Sequence, residues 1–119
     1  MDAAIARALA KWPNVPGVYG WLALDRRGNW LIKGERIANE ALREFIARNY
    51  EADDAGCWYF QNGPQRVYVS LAYTPLVVHY EGEELIDHCG RGFRVALVGR
   101  SADLLKLFAR GPQLVALAR

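Results

Sequence analysis

The sequence predicts an α+β domain in which antiparallel hairpins form one sheet and about three helices pack mainly on one of its faces. Two observations carry this. Aromatic and β-branched residues alternate with polar ones on both sides of turn signals, as in "GVYGWLALDRRGNWLIKGE" and "CWYFQNGPQRVYVSLAY". Between these stretches, "NEALREFIARNY" repeats its apolar residues at helical spacing. The chain has 119 residues, and the hydrophobic and charged shares are 52% and 24%. That describes one globular domain over 1–119, with room for one core.

In chain order, residues 2–11 read as a short helix with Ile5, Leu9 and Trp12 on one side, stopped by Pro13 and Pro16. A hairpin follows, with strands 17–25 and 29–35 and a turn at Asp25-Arg26-Arg27-Gly28. Its register sets Leu24 opposite Trp30 and Leu22 opposite Ile32 on the core face. Trp21 then meets Lys33, and Tyr19 meets Glu35, on the other face. The central helix spans 39–52, with Asn39 as N-cap, a stripe of Leu42, Phe45, Ile46 and Asn49 or Tyr50, and Gly56 closing the segment.

In the second hairpin, strand alternation puts Trp58 and Phe60 with Val67, Val69 and Leu71 in the core. Tyr59, Arg66 and Tyr68 share the opposite face. A four-residue Asn62–Gln65 loop keeps the core residues aligned and Pro64 out of the ladder. "LVVHY" and "FRVALVG" read as strands, and "ELIDHCG" as a short one. Ser101 caps a helix carrying Leu104, Leu105 and Phe108, and residues 113–118 lean to helix over strand. One internal echo stands out: "NVPGVYGWLALD" and "NGPQRVYVSLAYT" share N-x-P followed by V-Y-x-x-L-A.

The two stretches "WPNVPGVYGWLALDRRGNWLIKGE" and "WYFQNGPQRVYVSLAYTP" resemble a short proteobacterial family that is a domain of unknown function. The resemblance covers roughly residues 12–80. It implies a bacterial, cytoplasmic protein and carries over no activity and no functional residue.

Composition bounds the function. The net charge of +2 is too small to point to nucleic acid by itself, and residues 1–60 hold eight basic and eight acidic side chains. Residues 91–119 carry six basic side chains against Asp103. No apolar run reaches the length of a membrane span, and "MDAAIARALAKW" lacks the pattern of a secretory signal. Cys57 and Cys89 do not make a disulfide framework and read as cytoplasmic thiols.

His79, His88, Cys57 and Cys89 are metal-capable but lack ligand spacing, so no metal and no cofactor is expected. Cys57 with His79 or His88 is the most plausible thiol pair, yet nothing marks the cysteine as activated. Glu81, Glu83, Glu84 and Asp87 read as solvated turn carboxylates. There is no phosphate loop and no nucleophile elbow.

The leading expectation is therefore a non-enzymatic protein-interaction or regulatory module, self-association included, using Tyr19, Trp21, Tyr59, Arg66 and Tyr68. The alternatives are a nucleic-acid binder that uses the same tyrosines with the basic C-terminal segment, and a thiol- or metal-dependent small enzyme.

Overall fold

A computed structural model describes residues 1–82, 84–93, 95–97, 105–107 and 113–117, with backbone alone in the strands beyond 92. The chain begins with helix α1 (Ala3–Lys11), followed by strands β1 (Val18–Leu24), β2 (Trp30–Ile32) and β3 (Glu35–Arg36). Helix α2 (Glu40–Arg48) leads to β4 (Tyr50–Ala52), β5 (Trp58–Asn62) and β6 (Gln65–Leu71). The remaining strands are β7 (Val77–Glu81), β8 (Glu84–Asp87), β9 (Gly92–Phe93), β10 (Val95–Leu97), β11 (Leu105–Leu107) and β12 (Gln113–Leu117).

The α+β class holds, with three corrections. There are two six-stranded sheets, ordered β3-β2-β1-β6-β5-β4 and β10-β11-β12-β7-β8-β9. Each is mixed, because β1 runs parallel to β6 and β12 parallel to β7. Among the described residues there are two helices where about three were expected. Leu105–Leu107 and Gln113–Leu117 are strands, paired with each other and, through β12, with β7. Leu105 and Leu107 satisfy a two-residue period, Gln113–Leu117 is apolar on both faces after its first residue, and such short segments take the state their neighbours offer. Ser101, Leu104 and Phe108 of the expected third helix lie outside the described residues.

The two sheets share one topology. Each consists of two three-stranded meanders joined by a parallel pair between the first strand and the last. The V-Y-x-x-L-A echo falls on β1 and β6, the parallel neighbours of the first sheet. Val18 pairs with Val67, and Tyr19 stacks flat on Tyr68 with centroids 4.7 Å apart. In parallel strands set nearly in register, matching residues stand side by side.

A single turn chemistry is used three times: Asp25–Asn29 joins β1 to β2, Asp53–Cys57 joins β4 to β5, and Asp87–Arg91 joins β8 to β9. In each, the aspartate Oδ1 accepts the N–H groups two and four residues on, at 2.8–3.0 Å. The aspartate carbonyl accepts the glycine N–H, and its own N–H donates to the fifth residue's carbonyl. The glycine holds φ 85°, 84° and 86° in turn, where a side chain is strained. Gly56 therefore belongs to a hairpin and does not close the helix. Asp87, expected as a solvated carboxylate, is buried as the acceptor of its own turn.

Helix α2 starts as expected, with Asn39 Oδ1 accepting the Leu42 N–H at 3.0 Å. It stops at Arg48, short of the expected 52. Asn49 turns its amide back onto the Phe45 carbonyl and accepts the Asp2 N–H, while its own carbonyl accepts from Gln61. Tyr50 then enters β4 opposite Phe60. In the second hairpin the predicted register holds (Tyr59 opposite Tyr68, Phe60 opposite Val67), but the ladder continues to Asn62–Gln65 and the turn is Gly63-Pro64. In the first hairpin Leu22–Ile32 and Leu24–Trp30 pair as predicted. The second arm breaks at Lys33-Gly34 into β2 and β3.

The core sits where one face of the first sheet meets α2 and strands β7 and β8. Leu22, Leu24, Trp30, Phe60, Ile46 and Leu85 belong to one buried cluster with Val77 and Val78. Tyr50 is its centre. Its ring meets Trp30, Trp58 and His88, and its hydroxyl donates to the Pro75 carbonyl at 2.7 Å.

The turns around this junction allow a direct test of how closely the sheets approach. A Cβ at Gly56 would meet nothing within 4 Å, whereas one at Gly28 would lie 2.9 Å from the His88 Cβ. Both positions have the same φ, so Gly56→Ala carries backbone strain alone, about 1–2 kcal/mol. Gly28→Ala carries that strain plus overpacking of about 1–3 kcal/mol. Urea denaturation of the two variants should show the larger loss at Gly28; equal losses would mean that the sheets do not meet there.

Candidate functional site

The five residues singled out from sequence do not form one open face. Tyr59 is 5% exposed, contrary to its predicted place on an accessible surface, because β5 is buried on both sides. The alternation argument assumed that one face of the sheet meets water, and this strand has no such face. The Arg66 guanidinium lies over the Tyr59 ring at 4.3 Å, and the Tyr68 ring tilts against it at 5.8 Å. Tyr68 in turn carries Tyr19 on its ring and donates its hydroxyl to Asp53 Oδ2 at 3.2 Å. The result is a column of Arg66, Tyr59, Tyr68 and Tyr19, of which Tyr19 is the open end at 71% exposed.

Tyr19 does not meet the expected Glu35, because the chain folds back at Lys33-Gly34 and pairs Glu35 with Ile32; it lies on Tyr68 instead, and β1 bulges just beyond it. Val18 pairs with Val67 and Leu22 with Val69, so two extra residues sit in β1, with Gly20 at φ 77° among them. Trp21, half exposed, meets Lys33 as expected, with the ammonium 4.2 Å from the ring centroid. Burial raises the Tyr59 phenol, and the nearby Glu51 adds to the shift. The Cys57 N–H, together with the Tyr68 hydroxyl, holds Asp53 below the ordinary carboxylate range against a smaller opposing effect of burial.

Helix α2 divides two concavities. On one side Leu42, Phe45 and Ile46, together with Val18, Trp21, Ile32, Phe60 and Val67, line an apolar groove of about 400 Å³. On the other side lies a cleft of about 480 Å³ at the junction of the sheets. It is lined by Arg36, Arg43, Glu40 and Glu44 from the helix side, by Gly28–Trp30, and by His88–Gly90. Both volumes fall within the range of small-molecule pockets.

The metal-capable residues are dispersed. Cys57 is exposed in the β4–β5 turn, His79 is exposed and pairs with Glu81 at 3.0 Å, and Cys89 lines the cleft part-buried. Among the described residues, no three of His, Cys, Asp and Glu converge. His88 packs between Trp30 and Tyr50, and its Nδ1 accepts the Val77 N–H at 3.2 Å. Its importance was hidden in the sequence, where it stands beside a cysteine like a candidate ligand. The signal that locates it is the third Asp-x-x-Gly turn, which fixes residues 87–91 against the first sheet. Arg43 carries no motif at all.

Comparison with known proteins places the chain in a family. Residues 1–115 match the family DUF2944, described as "Protein of unknown function (DUF2946)". The chain belongs to this family. Two bacterial crystal structures share its fold. One is a DUF1285 family protein from Silicibacter pomeroyi DSS-3, at 16% identity over 97% of this chain and 79% of that chain, with a TM-score of 0.56. The other is a DUF1285 family protein from Shewanella baltica OS155, at 14% identity over 82% of this chain and 84% of that chain, with a TM-score of 0.57. No curated protein matches. At these identities the likeness is one of fold.

The buried imidazole has a measurable consequence. Burial, followed by the charge of Arg91, lowers the His88 pKa from 6.5 to about 4. The unfolded chain therefore takes up this proton at higher pH than the folded one. The neutral ring contributes its stability fully above pH 6.5, and that stability falls by about 1.4 kcal/mol per pH unit as pH drops toward 4. Asp25 and Asp53 lie below the ordinary 3.8, so their stabilisation is lost only at lower pH. Urea titrations between pH 7 and 4 should show the slope, and His88→Gln should flatten it. A slope that persists in that variant would assign the proton elsewhere.

Proposed function

We propose that the domain is a non-enzymatic protein-interaction module that binds an apolar segment of a partner protein along Tyr19, Trp21 and the groove beside α2. A second copy of this chain is the simplest such partner. One observation carries the reading: a groove lined almost wholly by apolar side chains lies open, and Trp21, Ile32 and Leu42 at its border are 50%, 39% and 37% exposed. An apolar surface of this kind, with an aromatic anchor at its edge, is characteristic of an interface in which a few residues carry most of the affinity. The Lys33 ammonium lies over the Trp21 ring.

The nucleic-acid reading draws less support. Tyr59 is buried, one face of Tyr68 is taken by Tyr19, and Arg66 is spent on Tyr59. The thiol reading rests on Cys57, whose turn contains no basic side chain. We place the protein in the bacterial cytoplasm, a reading supported by the bacterial origin of the structures that share its fold and by two cysteines that form no disulfide. Among the described residues, no helix is long and apolar enough to cross a membrane.

Site-specific photo-crosslinking in the native host tests the surface. A photoreactive phenylalanine analogue at position 19 should give a discrete cross-linked protein, lost on Trp21→Ala, while the same analogue at the exposed Arg7 position on α1 should not. Sedimentation of the purified chain then shows whether the partner is a second copy. Trp21→Ala should weaken the association about thirtyfold, the usual cost of truncating an aromatic anchor. The same adduct from both positions, or an association indifferent to Trp21, would remove this face from consideration.

A further inference from the structure

We propose that the cleft between the two sheets is a binding site for a small carboxylate with an apolar body, held by Arg43 and His88. The argument begins with two hydrogen-bond donors. The His88 Nδ1 accepts the Val77 N–H, so in the neutral ring the proton is on Nε2. That Nε2 is buried and has no acceptor among the described residues. The same is true of Arg43 Nε, and arginine is a donor only. A buried N–H left without an acceptor is costly, and native structures rarely keep one without a reason. Here two such donors come from residues that line the same 480 Å³ cleft, one from α2 and one from the β8–β9 turn. What they lack in common is an oxygen acceptor.

The charges around the cleft select the ligand. Arg48 is committed to Asp2, with Nε 3.2 Å from Oδ1. This leaves Arg36 and Arg43 against Glu40 and Glu44 along the wall, and none of these four forms an ion pair among the described residues. Two cations balanced by two anions do not favour a polyanion such as a nucleotide triphosphate. One carboxylate, taken by the planar guanidinium fork, fits the balance. The rest of the lining is mixed: the edges of the buried Trp30, Ile37 and Ala47 give a ring or short chain an apolar contact, beside Asn29 and Cys89. The neutral state of His88 agrees with this arrangement, because an uncharged Nε2–H donates to an oxygen without adding charge. The site is separate from the apolar groove, since it uses the opposite side of α2.

The probe is benzoate, with benzamide as its uncharged counterpart, titrated into the isotope-labelled full chain while backbone amides are followed by NMR. Benzoate should give saturable shifts at Gly28, Ala47 and Gly90, and benzamide should bind at least tenfold more weakly. Arg43→Met, which keeps the stem and removes the fork, should weaken benzoate about tenfold or more. Arg43→Lys should restore part of the loss, and Arg7→Met should change nothing. His88→Gln keeps one amide donor in place and should retain more affinity than His88→Leu, so a fold defect in either variant does not decide the outcome alone. Shifts confined to Val18 and Phe60 in the groove, affinity unchanged in Arg43→Met, or no saturable shift would each overturn the proposal.

Discussion

The structure depends on the burial of Tyr50 between the two sheets. The buried cluster draws Leu22, Leu24, Trp30 and Phe60 from the first sheet and Val77, Val78 and Leu85 from the second, so the two sheets cover one core. Tyr50 leaves α2 and enters β4, so its ring arrives among Trp30, Trp58 and His88, which come from three other elements. Its hydroxyl is satisfied by the Pro75 carbonyl, in the segment that leads into the second sheet. Arg91 returns from the β8–β9 turn to donate to the carbonyls of Ala47 and Tyr50, at the C-terminal end of α2, where backbone acceptors are unfilled and positive charge is favoured. Helix end, tyrosine and second sheet thus form one hydrogen-bonded unit.

The three Asp-x-x-Gly turns serve that junction in different ways. Those at 25–29 and 87–91 face each other across it, Gly28 against the Cβ of His88, and their tight geometry lets the sheets approach. The remaining one, at 53–57, lies under the tyrosine column, where Asp53 both holds its own turn and accepts the Tyr68 hydroxyl. The same local bonds thus hold the sheets together in one place and support the aromatic surface in another.

α2 gives the molecule its two candidate sites. It presents Leu42, Phe45 and Ile46 to the first sheet without covering it, which leaves the apolar groove. It presents Arg43 and Ala47 toward the second sheet, which makes the polar cleft. Because the first surface is apolar and open while the second holds buried donors, the two differ in what they can bind: an apolar partner surface for one, a single anionic group for the other.

The sequence by itself determined what is decided over a few residues. The Asn39 cap, the Asp25 turn, the pairing of Leu24 with Trp30 and the register of Phe60 with Val67 follow from local hydrogen bonding and from side-chain alternation, and each stands in the structure. Tertiary structure decided whatever needed a distant partner. Whether Leu105–Leu107 and Gln113–Leu117 became helix or strand rested on β10 and β7 being available to pair with them. Tyr59 changed from a surface residue to a buried one because its strand is covered on both faces. Tyr19 met Tyr68, 49 positions away, because β1 runs parallel to β6 with Val18 level with Val67. His88 and Arg43, 45 residues apart, came to line one cleft only when the sheets closed on Tyr50. Local patterns report which face of a strand is apolar; they carry no information about how many faces the fold will bury.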